Sequence, residues 1–277
     1  MTRTICRLAL AVGLGLTGIV WAQVPSLRTV YVSIADHDAP LPGLQASDVE
    51  VTEDGRARPV VSLAPATEPM TVALVIDDHG LGLPEARQAA SEFVESMPVD
   101  ASIGLFSTRF VEWTVTGYTR ERQALRDGIQ RLMPMVGGHD LEGLIRHLAD
   151  DFRTRGVSRP VVVLVTIGEG GGSLAPNWDR VVDQVRRSGA TFYAVAVRET
   201  HPRDMLIIDT STEVSGGRVE SSMTNAGVIP ALQRITDTLL GQYALTYEAS
   251  PASERGARLR VDVNRPDVKV RAPQRVY

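Results

Sequence analysis

Residues 71–81 read TVALVIDDHGL and constrain the fold more than any other stretch of this chain. Positions 72–76 are continuously apolar, which suits a strand buried on both faces of a parallel sheet. The run ends abruptly at Asp77 and Asp78, with His79 and Gly80 behind them. Ligands of open α/β sheets bind just beyond the carboxyl ends of the strands. The acidic pair therefore marks the first place to look for a site.

From residue 71 onward, strand-like and helix-like segments alternate. Pro84 suits an initial helical position, and Ala86, Ala89, Ala90, Phe93, Val94 and Met97 form one apolar stripe behind it. Residues 102–106 and 110–118 read as a hairpin. Helices are predicted over 120–133 and, after Gly137-Gly138, on the stripe Leu141, Leu144, Ile145, Leu148, Phe152. Residues 160–166 and 191–197 are further buried strands. A glycine-rich loop at 168–173 leads to a helix carrying Val181, Val182 and Val185, which Gly189 ends. A helix near Met205, a Gly216-Gly217 turn and a helix with Val228, Leu232, Ile235 and Leu239 complete the unit. This alternation predicts an α/β domain over 70–241 with a mostly parallel, doubly wound sheet.

The two ends follow another period. Val30, Val32 and Ile34 alternate with polar neighbours, as do Tyr243, Leu245 and Tyr247, and Leu259, Val261 and Val263. These are antiparallel-type strands with one wet face. Asp54-Gly55 signals a hairpin between residues 49–52 and an apolar return through Val60 and Leu63. Residues 24–69 form a β unit and linker, the linker being 64–70, and 242–277 supply C-terminal strands. Neither is large enough to bury a good core alone, so the two are expected to pair in one small β module.

Residues 1–23 carry Arg3, Arg7, an apolar stretch over 8–20 and a small-residue cleavage site before Gln23. This is the pattern of a secretory signal peptide, and it implies export to the periplasm or release from the cell, with no membrane span in the mature chain. The single cysteine, Cys6, lies in that leader, so disulfides, thiol catalysis and cysteine-based zinc sites are excluded from the rest. The single lysine, Lys269, excludes P-loop and Schiff-base chemistry. A net charge of −4 gives no electrostatic case for nucleic acid. There is no Gly-x-Ser-x-Gly elbow and no His-Glu-x-x-His pair, so the chain reads as no enzyme.

Several segments in order resemble a known family: VYVSIADHDAPLPGLQASDVEVTEDG, VALVID, GGHDLEGLIRHL, VVVLVTIGEGGG, and the closing run from SGGRV through YALTYEAS to VKVRA. Together they resemble a bacterial von Willebrand factor type A (VWA) protein of the secreted VWFA-related group common in Acidobacteria. The resemblance implies a metal-ion-dependent adhesion site, in which Asp-x-Ser-x-Ser after the first strand, a later Thr and a later Asp hold Mg²⁺ and leave one position for an acidic group of a partner. Here Asp77 matches the first Asp. His79 and Leu81 stand at the two Ser positions, His139 at the Thr position and Ile167 at the later Asp. A hard cation needs oxygen ligands, so the site reads as degenerate, with no cofactor expected.

The expected function is a non-catalytic, exported protein-interaction or adhesion module with an unidentified protein partner. Its binding face comprises Asp77, Asp78, His79, His139, Asp140 and Glu169. A plainer reading makes Asp77 and Asp78 structural, capping the helix that follows or binding loop amides. A sharper alternative keeps adhesion but remodels the metal site: Asp77, His79 and His139, with Asp140 or Glu169, make a donor set suited to Zn²⁺ or another divalent cation.

Overall fold

The computed structural model describes residues 26–80, 82–109, 112–134, 139–168, 178–250 and 256–277. The strands are β1 (Ser26–Asp36), β2 (Ala39–Pro40), β3 (Val49–Glu53), β4 (Arg56–Arg58), β5 (Val60–Pro65), β6 (Thr71–Ile76), β7 (Ser102–Ser107), β8 (Thr114–Thr119), β9 (Pro160–Val165), β10 (Thr191–Val197), β11 (Val219–Ser222), β12 (Tyr243–Ala249), β13 (Ala257–Val263), β14 (Val268–Arg271) and β15 (Arg275–Val276). The α-helices are α1 (Leu83–Ser96), α2 (Arg122–Arg131), α3 (Leu141–Arg155), α4 (Trp178–Ser188), α5 (Pro202–Ser215) and α6 (Val228–Leu240).

The apolar run after residue 71 is β6, an interior strand of a six-stranded sheet ordered β11-β10-β9-β6-β7-β8. Alternate residues of β6 enter opposite cores. Val72, Leu74 and Ile76 meet α1, α2 and α6 on one face. Ala73 and Val75 meet α3, α4 and α5 on the other. Full burial on both faces is what an unbroken apolar run secures, at roughly 1.5–3 kcal/mol for each large side chain. The sheet is mixed. β6 runs parallel to β7 and β9, and β10 to β9 and β11, while β8 returns antiparallel to β7. The hairpin expected at 102–118 is this β7–β8 pair, with its second strand beginning at Thr114; Phe110 lies outside the described residues.

The chain leaves β6 for β7 on one side, then crosses to β9 on the other. The carboxyl end of β6 is therefore a topological switch point, where an α/β sheet opens a crevice. Asp77 begins there, its N–H bonded to Val165 O at 2.8 Å.

The terminal segments pair as expected. β1 runs antiparallel to β12 and β14, and β3 to β13. The hairpin reading needs correction. Asp54 and Gly55, both at positive φ, make a two-residue turn that returns into β4, not into Val60. Pro59 breaks the strand, and β5 joins β12 in the other sheet. The result is two sheets, β14-β1-β12-β5 with β2 beside β1, and β15-β13-β3-β4, closing on Val32, Ile34, Leu245 and Tyr247. The linker also begins later than 64, since β5 runs to Pro65. A buried polar seam joins this module to the α/β unit: Gln242 Nε2 donates to Tyr193 Oη at 3.1 Å, and Tyr193 Oη meets Ser33 Oγ at 3.3 Å.

Candidate metal centre

Three short segments meet beyond the carboxyl ends of β6 and β7. The first is Asp77-Asp78-His79, following β6. The second, Thr108-Arg109, follows β7. The third, His139-Asp140, precedes α3. Backbone pairing joins the last two: Arg109 bridges His139, and Asp140 N–H donates to Thr108 O at 2.9 Å. A histidine distant in sequence is thereby fixed beside the acidic pair.

Neither aspartate caps α1, but Asp77 Oδ1 accepts from the His79 N–H of its own loop at 3.3 Å. The N-cap of α1 is Gly82, without a side-chain bond. Asp78 is fully buried and accepts from Ser107 Oγ at 2.8 Å and from Arg109 Nε at 2.7 Å. Arg109 thus neutralises Asp78. Asp77 Oδ1 accepts from Thr108 Oγ1 at 3.0 Å, stands 3.1 Å from His79 Nδ1, and lies 3.6 Å from His139 Nδ1. The two imidazoles meet edge to face with centroids 5.3 Å apart. The other nitrogen of His139, Nε2, lies 3.3 Å from Asp204 Oδ2 on α5.

Burial alone would raise the Asp77 carboxyl, but His139 and His79 outweigh it and hold the group down at about 2. Burial alone would lower His139, but Asp204 and Asp77 outweigh it and carry the imidazole up to about 10. The two carboxylates thus favour a proton on His139.

Asp77, His79 and His139 each offer a donor atom, and these atoms lie within 4.8 Å of one another. A tetrahedral ion at ~2.0–2.1 Å from its ligands spaces them roughly 3.3 Å apart. The 3.1 and 3.6 Å separations from Asp77 Oδ1 bracket that value. Among the described residues His79 Nε2 has no hydrogen-bond partner, and His139 meets only the carboxylates of Asp77 and Asp204, at 3.6 and 3.3 Å. Two imidazoles and one carboxylate suit Zn²⁺ or a late transition metal. They do not suit Mg²⁺, which needs oxygens, and Ile167, aligned by the resemblance with the later Asp, is buried in the apolar core. Leu81 lies outside the described residues.

Asp140 stands apart from the donors and N-caps α3, accepting from Gly143 N at 2.8 Å. Glu169, most of the glycine-rich loop and Gly137-Gly138 lie outside the described residues. Thr108, Arg109 and Asp204 are site residues that the sequence reading did not single out. The first two follow the neighbouring strand, so the rule that directs attention beyond β6 also directs it there. Asp204 occupies the first turn of a helix, where carboxylates are ordinary.

No protein-family model matches the chain, and no curated protein sequence matches it. Solved structures do. The chain superposes on a von Willebrand factor type A protein from Catenulispora acidiphila with a TM-score of 0.52 at 11% identity, covering 89% of this chain and 71% of that one. The fold is that of a VWA domain. Proximal thread matrix protein 1 from the mussel byssus gives a TM-score of 0.51 at 14% identity, over 62% of this chain and 48% of the mussel protein. The same mussel protein with a zinc-occupied MIDAS motif gives 0.50 at 10% identity, over 69% and 50%. The chain thus spans about half the length of the mussel protein. In the VWA fold of this chain, the Asp77 cluster sits at the carboxyl end of the sheet's switch-point strand.

Proposed function

We propose that this chain is an exported, non-catalytic protein-interaction module of the VWA type, whose binding pole is organised by a Zn²⁺-class ion held by Asp77, His79 and His139. The observation that carries this reading is the convergence of His79 Nδ1 and His139 Nδ1 on Asp77 Oδ1, at 3.1 and 3.6 Å, with a donor atom of each residue within 4.8 Å of the others. The three residues are only 2–6% exposed. An ion seated that deeply joins the segments after β6 and before α3, and so fixes the surface they present to a partner. The mussel proximal thread matrix protein 1 structure with a zinc-occupied MIDAS motif supports the choice of metal. Export is supported by the leader-like residues 1–23.

Titration calorimetry with Zn²⁺ tests the site. The wild type should take up one equivalent, and His79→Ala and His139→Ala should each weaken binding at least tenfold. Equal affinity in wild type and both variants would sink the metal reading. Partner capture from the producing cell's exported fraction, with and without EDTA, then tests whether the ion organises the binding face.

A further inference from the structure

We infer that a second binding site lies beside the amino ends of β9 and β10, away from the Asp77 cluster, where an extended acidic peptide adds as a strand to the open edge of β1 in the terminal module. Three observations converge on it. First, β1 is paired along most of its length on one side but along only a third of it on the other. β12 pairs residues 26–32 and β2 pairs 35–36, whereas on the other side β14 pairs only residues 33–36. Beyond Arg271 the chain turns away, its Gln274 N–H bonding Val214 O at 2.9 Å. Among the described residues, no strand covers the β14 side of residues 26–32. An unpaired strand edge is a ready template for an extended chain.

Second, that edge is one wall of a cleft of about 260 Å³, whose lining includes Arg28 to Tyr31, Arg186 and Arg187 of α4, and Arg275. A second cleft of about 570 Å³ shares Arg186 and Arg275 and adds Arg258 and Arg260. The two clefts thus adjoin at Arg186 and Arg275. Neither cleft has an acidic residue in its lining, in a chain whose net charge is −4.

Third, part of this charge is uncompensated. Arg28 pairs with Glu53, Arg187 with Asp183 and Arg260 with Asp262. Arg186 makes no ion pair among the described residues, and its buried Nε has no hydrogen-bond acceptor. Arginine's planar fork matches a carboxylate in two places at once. The cleft floor is apolar, with Val157, Val185, Val214 and Val276. A ligand alternating acidic and aliphatic side chains meets both features, because a strand turns successive side chains to opposite faces. A bare polyanion meets only one.

Two labelled peptides test this, (Glu-Val)4 and its neutral counterpart (Gln-Val)4, followed by fluorescence anisotropy with EDTA present so that the Asp77 cluster holds no metal. The acidic peptide should bind, and Arg186→Glu should weaken it at least tenfold while melting at the wild-type temperature. Arg258→Gln is the second variant if Arg186→Glu perturbs the fold, and should weaken binding about threefold. Hydrogen exchange should slow at residues 28–31 when the acidic peptide is bound. The inference is overturned if the neutral peptide binds equally, or if affinity survives these substitutions. It is also overturned if inorganic phosphate displaces the peptide and exchange at residues 28–31 stays unchanged, which identifies a plain anion site.

Discussion

His139 and Asp204 form a carboxylate–imidazole contact, with Nε2 3.3 Å from Oδ2, while the opposite ring nitrogen faces Asp77. Metal-ligating histidines characteristically give their second ring nitrogen to a carboxylate, which fixes the tautomer and the ring orientation. Asp204 thereby turns Nδ1 of His139 toward Asp77, where loss of its proton would present a lone pair to a cation. Asp204→Asn keeps the shape but removes the charge, and should weaken Zn²⁺ binding by about 10–100-fold. Calorimetry on the variant checks this. Wild-type affinity would show that Asp204 plays no part in presenting His139.

Glu53 holds the terminal module together. It is fully buried and meets Arg28 at 2.8 Å, Arg58 at 3.5 Å, Tyr247 Oη at 2.8 Å and Ser250 N at 2.7 Å. Burial raises its carboxyl, but the hydrogen bonds from Ser250 and Tyr247 and the charge of Arg28 outweigh it, so the group sits below its ordinary 4.5. A folded-state value below the unfolded one means that the charged form is favoured by folding. Its contribution is present above about pH 4.5 and is lost as pH falls through the depressed value. Glu53→Gln should cost roughly 3–5 kcal/mol at neutral pH, as expected when one partner of a buried ion pair is removed. Denaturation followed from pH 7 down to pH 3 should show the wild type converging on the variant.

Gly168 lies against the segment behind Asp77. A Cβ there would stand 2.9 Å from His79 O, and Gly80, at φ +122°, approaches from the other side. Backbone cannot yield as a flexible side chain can, so Gly168→Ala must push the segments after β6 and β9 apart. The expected cost is about 1–3 kcal/mol, with a melting point lower by roughly 2–4 °C per kcal/mol. Because the displaced residue is His79, Zn²⁺ affinity should fall as well. A variant that melts and binds like the wild type would show that the two segments do not constrain each other.

What the residues disclosed in advance follows the range of the forces involved. Strand β6 and the helix after Pro84 were legible because burial on two faces and a helix start are written in adjacent residues. Val60 was assigned to the wrong strand because the choice between β4 and β5 as the partner of β3 is made by Pro59 and by distant β12. Asp77 and Asp78 read equally well as caps, since nothing local reveals that Thr108, Arg109 and Ser107 satisfy them. The approach of His139 to Asp77 depends on pairing between residues 109 and 139, and that of Asp204 on how α5 packs against the sheet. Position in the strand order, which periodicity does not encode, placed these groups together.

Arg159 joins the two halves of the molecule and gives the sharpest stability test. It is 4% exposed, immediately before β9. One arm donates to Ala66 O at 3.3 Å and Glu68 O at 3.2 Å in the linker. The other donates to Leu239 O at the end of α6 and to Gln242 Oε1 before β12, both at 2.9 Å. Its guanidinium also lies 5.1 Å from the ring centre of Tyr31 in β1. One side chain thus satisfies acceptors on both sides of the seam. Arg159→Met retains the aliphatic stem but leaves these acceptors unpaired, each buried one costing about 1–3 kcal/mol. Water reaching the seam offsets part of this, so a net loss of about 3 kcal/mol is expected. Arg159→Lys keeps the charge but lacks the fork, reaches fewer acceptors, and should recover less than half of the loss. Urea denaturation of the three proteins decides the matter. A lysine variant equal to wild type would mean that charge alone holds the seam, and a methionine variant within ~0.5 kcal/mol of wild type, the range of an ordinary surface change, would mean that Arg159 does not.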